Sequence, residues 1–405
     1  MGAMKRSQGN RPQLLPVDCI GAGAERGAAR KSKPGRLTRF ASECLVALLI
    51  SVLARPAVGA PAALVPSLAL AATGPRIAVV VVPLDLSAQQ QQAALEQSAE
   101  TAIENAGRFT LVPVQDAFNP VEAQRHADAM ATARGKLVSG KAALDELEAA
   151  RATTDFQAAF EAQVSSADTS RAFATLLESW ILKAAGHATS GDNALAKKDI
   201  EGIAAVFPRA EFSPSYFPPE LLKYAEAQKR LAQNGRGELL VKTEPAGARV
   251  WVDGQYRGLS PLTVDGLAAG KHFVSAVLGG YALERWQAAP GEAEVRLEPA
   301  ELTKPWTATQ RAVKGAPEGS PRDEAAQALG KAAQLDQVLL VVAKKSLTGE
   351  QLELTALRLE VSDGHNASWA QATVGTDEEA LATFFTGLVG ADDKRDGKRP
   401  VRHFA

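Results

Sequence analysis

Thr243-Glu-Pro-Ala-Gly-Ala-Arg-Val-Trp-Val-Asp-Gly254, followed by Gly258-Leu-Ser-Pro-Leu-Thr263, is the stretch on which the reading of this chain turns. Ala248–Val252 is a short β-branched run with Pro245 before it and Asp253-Gly254 after it. A strand therefore starts where no ladder donor is needed and ends in a tight turn. On such a strand Val250 and Val252 face one way and Trp251 the other. The same grammar repeats on either side. Leu239–Val241, His272–Val277 and Ala293–Leu297 are further short strand candidates, with Asp265-Gly266 and Gly279-Gly280 as turns. Together they predict a compact all-β module over 238–299.

That arrangement resembles the PEGA domain. The name motif stands here as Pro245-Ala-Gly-Ala248, with Ala246 in place of the family's Glu. The strand and turn after it, the Ser260-Pro261 step, Gly270-Lys-His272 and Gly279-Gly-Tyr281 follow the same pattern. The resemblance implies a small β-sandwich of the kind found in surface-layer and envelope proteins, one that binds or adheres and does not catalyse. Trp251, Tyr256, Arg257 and Tyr281 are the candidate binding residues, because Trp, Tyr and Arg dominate interface hot spots and an aromatic face can stack on a sugar. The competing expectation puts Trp251 on the inner face of the sandwich, with the valines facing a helix.

Residues 119–235, before the module, are rich in Ala, Glu and Lys and carry helical periodicity with almost no β signal. Phe173, Leu176, Leu177, Trp180 and Ala184 fall on one helical face, and Ile200, Ile203 and Phe207 on another. Pro218-Pro219 opens a third helix with Leu221, Tyr224 and Leu231 as its stripe. The expectation is a spacer of helical hairpins, loosely similar to tetratricopeptide pairs but without their repeat consensus.

The outer parts of the chain read as mixed structure. Ile77–Val82 is a continuous apolar run ended by Pro83, the pattern of a buried strand. Ser87 with Gln90 is in capping-box position for a helix whose stripe is Leu95, Ala99, Ala102 and Ile103, and which Gly107 ends. Phe109–Val112 then closes a β-α-β unit over 76–118. Residues 300–321, with Pro305, Pro317 and Pro321, read as a linker. Within 322–390, Glu324–Leu335 is helical and Val338–Val342 is a buried strand. Gln351–Val361 alternates with a phase slip between Ala356 and Leu357, which predicts a bulge. Asp363-Gly364 turns into Ser368–Val374, and Thr376 with Glu379 opens a last helix through Leu388. In element order these two flanks resemble the small α/β domain at the N-terminus of TolB-like and CsgG-like envelope proteins. That resemblance implies one α/β domain split by two insertions; the alternative is two separate α/β pieces. The fold class expected is thus α+β and multidomain.

With 405 residues the chain has room for two or three cores, and a net charge of −1 gives no general attraction to nucleic acid. The charge is uneven, however. Nine Lys and Arg precede residue 40 against Asp18 and Glu25, and they lead into the apolar run Leu45–Ala54. This run is short for a membrane span and suits the core of a signal peptide. Residues 1–71 are therefore expected to be a leader, cut near Ala71/Ala72, with Val58-Gly-Ala60 as another cleavage option and an uncleaved inner-membrane anchor at 45–54 as the alternative. Both cysteines, Cys19 and Cys44, fall inside it. The expected mature chain has no thiol chemistry. Residues 391–405 read as a charged tail.

No catalytic motif emerges. Gly135-Lys-Leu-Val-Ser-Gly140-Lys141 approaches a phosphate-binding loop, but Ala142 replaces the hydroxyl that would coordinate Mg²⁺, and the segment is helical. Gly21-Ala-Gly23 lies in the leader with no strand before it. His126, His187, His272, His365 and His403 are scattered, and each is expected at the surface. Asn366-Ala-Ser368 is a chance sequon. The reading is a non-catalytic bacterial envelope scaffold or binding protein without cofactor or metal, periplasmic or attached to the outer membrane. Its expected partners are other envelope proteins of a secretion, motility or surface-assembly machine. Cell-wall or surface polysaccharide is the alternative ligand, peripheral membrane contact is compatible, and an unrecognised enzyme or a cytoplasmic adaptor are the remaining readings.

Overall fold

Six consecutive apolar residues in a strand require cover on both faces, because alternate side chains point to opposite sides. The computed structural model, which describes residues 74–165, 170–347 and 350–391, gives Ile77–Val82 that cover. They form β1 (Arg76–Pro83) and are essentially inaccessible. β1 lies in a five-stranded sheet between β2 (Thr110–Leu111) and β10 (Gln337–Lys345), followed by β11 (Leu352–Glu360) and β12 (Asn366–Val374). β1 runs parallel to both neighbours, with Val79 opposite Leu339 and Val81 opposite Val341, and β10, β11 and β12 are antiparallel. Strands from the two ends of the described chain thus share one sheet.

Helices cover this sheet on both sides. Ile77, Val79 and Val81 meet α2 (Gln92–Ala106) through Leu95, Ala99 and Ile103, and α11 (Glu378–Gly390) through Leu381, Phe384, Phe385 and Leu388. Ala78, Val80 and Val82 face α3 (Val114–Phe118), α9 (Thr303–Gly315) and α10 (Ser320–Ala332) through Phe118, Trp306, Val313 and Leu329. Each such large side chain contributes about 1.5–3 kcal/mol by leaving water.

Between the flanks come α4 (Pro120–Asp145), α5 (Ala149–Val164), α6 (Ser170–Thr189), α7 (Asn193–Val206) and α8 (Pro219–Gln233), each packed on the next. Gly140 lets α4 and α5 approach closely: a Cβ there would stand 2.6 Å from the Phe156 ring. The glycines and lysine of the near-motif at 135–141 therefore belong to a helix, and Gly140 has a packing role. Asp199 is buried between α6 and α7, where it accepts from Lys183 Nζ at 2.7 Å and from Trp180 Nε1 at 3.2 Å.

Residues 237–296 form two sheets packed face to face. One holds β3 (Gly237–Glu244) between β6 (Leu262–Leu267) and β9 (Gly291–Arg296). The other runs β5 (Gln255–Leu259), β4 (Arg249–Val252), β7 (His272–Val277), β8 (Glu284–Ala288). Leu239, Val241, Val250, Val252, Val264 and Val274 fill the space between them. The chain is a mixed α+β protein with this β-rich region near its middle.

Several local expectations need correction. Residues 300–321 are not a linker: Pro305 sits in the first turn of α9 and Pro321 in that of α10, where a missing N–H costs nothing. The helix after β1 is capped by Asp85 and not Ser87, the Asp85 carboxylate accepting from Ala88 N at 2.9 Å, and it is interrupted at Gln91 after α1 (Leu86–Gln90). Asp377, not Thr376, caps α11. The irregularity in β11 lies between Arg358 and Leu359, because the middle of that strand is buried on both faces and its pattern loses phase early. Leu231 is 67% exposed and drops out of the α8 stripe. The leader with its apolar run at 45–54, its cleavage options and both cysteines, and the tail from 392 with His403, lie outside the described residues.

Candidate binding site on the β module

The inner valines fix which way the rest of β4 points. Val250 and Val252 enter the sandwich core, so Arg249 and Trp251 project from the opposite face, in register with Val277 and Ser275 of β7. Trp251 is half-buried there and does not sit inside the sandwich. Its ring centroid lies 5.3 Å from that of Tyr256 and 5.8 Å from the Arg249 guanidinium. Arg249, only 4% exposed, makes an ion pair with Glu96 of α2. The contact continues through the Tyr256 hydroxyl, which donates to Gln90 O at 3.4 Å, and through Gln89 Nε2, which donates to Gly247 O at 3.4 Å. Burial raises the Tyr256 phenol above its ordinary value, and the Glu96 charge adds to this against the effect of Arg249. This aromatic pair therefore lies at the seam between the β module and the helices after β1.

The four candidate residues do not converge. Arg257 is exposed. Tyr281 packs with Ala248, Ala276 and Leu297, and Ala276 is paired with Val250, so Tyr281 belongs to the inner side of the sheet. A sugar platform built from Trp251, Tyr256 and Tyr281 on one face is not formed.

Next to this seam His272 is 1% exposed, which corrects its expected place at the surface. Its Nδ1 lies 2.6 Å from Asp253 Oδ2 and its Nε2 3.0 Å from Ala268 O. The other Asp253 oxygen accepts from Phe273 N at 2.9 Å. Acceptors at both ring nitrogens suit the imidazolium, which donates twice. Burial alone would depress the His272 pKa. The Asp253 hydrogen bond and charge outweigh it, with help from Ala268 O and against Arg257, so the net shift is upward from 6.5. A raised histidine stabilises the fold fully below its unfolded value and loses that contribution as pH rises through the folded one. Urea midpoints should therefore fall as pH rises above about 6.5, and Asp253→Asn should flatten that slope. A slope that persists in the variant would assign the dependence to another group.

Phe273, the next residue, seats the module on the helical layer. Its ring meets Phe173 at 5.6 Å and Trp180 at 6.1 Å, both from α6. The turn between β4 and β5 lies beside this contact, with φ of +53° at Asp253 and +71° at Gly254, as a type I′ hairpin requires. A Cβ on Gly254 would stand 2.7 Å from the Phe173 ring. Gly254→Ala should therefore cost more than the roughly 1–2 kcal/mol of left-handed backbone alone, measurable as a lowered urea midpoint. A change below about 0.5 kcal/mol, typical of an exposed surface position, would show that the turn is not pressed against α6.

Concavities border the module on more than one side. A groove of about 880 Å³ is lined by Phe173, Leu177, Ile181, Phe207, Asp253 and Gly254. A cleft of about 710 Å³ runs beside β8, from Ala282 to Gln287, with Val121, Glu122 and Arg125 of α4 and the end of α5 across from it. Glu122 accepts from Arg125 at 2.8 Å and from Arg285 at 3.3 Å. Glu301 accepts from Val121 N at 3.3 Å. Glu284 makes no direct ion pair among the described residues. Burial, with the Glu298 and Glu122 charges and against Arg285, raises its carboxyl above the ordinary range. None of these cleft residues was singled out from the sequence, because the cleft joins elements far apart in the chain. Glu96 and Phe273 were missed for the same reason. The one sequence signal was Arg249 itself, a cation at the start of an apolar strand.

Residues 236–297 match the PEGA domain family. That match does not support the resemblance of the flanks to TolB-like and CsgG-like proteins. No curated protein and no solved structure matches the chain significantly. Among the described residues no helix is long and apolar enough to cross a membrane, and no cluster of three His, Cys, Asp or Glu is placed to hold a metal ion.

Proposed function

We propose that this chain is a non-catalytic binding or scaffold component of the cell envelope, in which the PEGA module is a fixed platform. The observation that carries this reading is the double seating of the module: Arg249 on Glu96 on one side, Phe273 on Phe173 and Trp180 on the other. A module tied to both neighbours presents its remaining surface in one orientation, which suits a component of a larger assembly. In this reading the flanks form one α/β domain, split by a spacer of helical hairpins and by the sandwich. The basic, apolar leader supports export, with peripheral membrane contact compatible.

The cleft gathers carboxylates, but their arrangement favours binding. Glu122 is paired with two arginines and Glu301 accepts from a backbone N–H, so both serve to hold the cleft together. Polysaccharide recognition is the weaker reading, since Trp251 and Tyr256 are used in the seam and Tyr281 lies elsewhere.

Fractionation of the native protein with N-terminal sequencing tests the assignment. A start near Ala72 in the periplasmic or outer-membrane fraction, with cross-links to envelope proteins, is the expected result. An intact Met1 in the cytosol would overturn it.

A further inference from the structure

β8 is an edge strand: among the described residues its ladder partner is β7 alone, with Val274 opposite Trp286 and Ser275 opposite Arg285. The other side of β8 faces the 710 Å³ cleft, and the lining shows how. Ala282 through Gln287 all contribute to it without a gap. Consecutive strand residues point to opposite faces of a sheet. Trp286 reaches the inner clusters of the sandwich, whereas Arg285 is on the outer face and pairs with Glu122. A cavity touching both sets must run along the edge of the strand. Its volume lies in the range of ligand pockets, about 300–1,000 Å³.

From this geometry we infer that the open edge of β8 receives an extended, basic peptide segment of a partner protein by strand addition. Backbone N–H and C=O groups on an open edge are a template for a further strand, and natural proteins usually blunt such edges with charge, twist or cover. Here α4 and the end of α5 stand back from the edge and leave a slot, so an incoming strand is admitted while a second broad sheet is kept away. Main-chain pairing supplies affinity, and alternate side chains supply selectivity. The charge of the slot decides the sign of the partner. Glu122, Glu284 and Glu301 face Arg125 and Arg285, with Glu298 close to Glu284, so the lining is net acidic. A Lys or Arg alongside Glu284 would compensate a carboxylate that burial and the neighbouring Glu298 and Glu122 charges disfavour. This inference rests on the reading of the chain as a binding component, and names the chemistry of what is bound.

The test uses the purified chain and acetyl-Lys-Val-Lys-Val-Lys-Val-amide as the probe. Controls are its Glu-for-Lys counterpart and a version N-methylated at alternate amides, which cannot complete a ladder. Hydrogen exchange at residues 284–288 should slow on titration with the basic peptide and with neither control. Glu284→Gln and Glu284→Lys should weaken binding progressively, by about tenfold or more for the reversal, while the urea midpoint of the Gln variant stays near that of the parent. Equal binding of the N-methylated peptide would reduce the effect to surface charge and overturn the inference. Absence of protection with every peptide would overturn it too, as would protection of β8 that grows with protein concentration alone, the mark of pairing between two copies. Any of these leaves the envelope assignment standing, because that is read from the location of the native protein.

Discussion

Glu96→Ala should lower stability by about 3–5 kcal/mol, the range for removing one partner of a buried ion pair. Arg249 is 4% exposed and Glu96 13%, so neither charge recovers much hydration when the other is lost. The guanidinium cannot escape by deprotonation, since arginine stays charged in proteins. Its stem is fixed by β4 pairing on both sides, and its nearest aromatic surface, Trp251, offers only a cation–π contact. The stranded cation must then pull the module away from α2 or draw water into the seam. Urea unfolding gives the size of the loss. Hydrogen exchange distinguishes the two responses, because separation should also expose the Gln89 and Tyr256 contacts to the same helices. The double variant Glu96→Leu with Arg249→Met should recover most of the loss, as paired apolar replacements of buried ions often do. A loss below about 1 kcal/mol for Glu96→Ala would place the pair with exposed salt bridges and remove the argument for a fixed platform.

What the sequence yields is what local physics determines. Ile77–Val82 could only be a strand covered on both faces, and Asp253-Gly254 could only be a tight turn. The sandwich core of Val250 and Val252 follows from alternation alone. Three strands of the module, β5, β6 and β8, were not expected, because Gln255–Leu259 and Glu284–Ala288 are half-exposed and carry no clean apolar face. Pairing of β1 with β10 joins residues from opposite ends of the described chain, and no local pattern encodes it. The misread linker shows the same limit differently. Three prolines and a run of polar residues argue for loop, yet two of those prolines stand at helix starts, and Trp306 was the only local sign of a buried face. Candidate site residues fared likewise: Trp251 and Tyr256 were recognised by type, but the helices after β1 that their face meets, through Tyr256 on Gln90 O and Arg249 on Glu96, could not be.

Trp306→Ala should cost about 3–5 kcal/mol, the range for emptying a large aromatic from a core. The residue is 3% exposed and stands 5.2 Å, ring to ring, from Phe118. On its other side is the backbone of Gly279 and Gly280, where a Cβ on either would fall 2.6 Å from the indole. The loop from β7 to β8 is thus laid directly on the ring, and Gly280 O is further held by Thr303 Oγ1 at 2.6 Å and Ala300 N at 3.0 Å. One side chain of α9 thereby packs the lower face of the five-stranded sheet and also anchors the loop that carries β8. The indole Nε1 finds no hydrogen-bond partner among the described residues, so part of what Trp306 contributes is offset by a buried donor left unmade. Trp306→Phe removes that donor and keeps most of the ring. It should therefore lose far less than the alanine variant, and the difference between the two separates packing from polar cost. In the alanine variant, exchange at Leu278–Leu283 should quicken along with that of α9, and the β8 edge should lose its fixed position. Were Trp306→Ala as mild as a surface change, within about 0.5 kcal/mol, residues 300–321 would behave as the linker their prolines suggest, and the loop would not be latched.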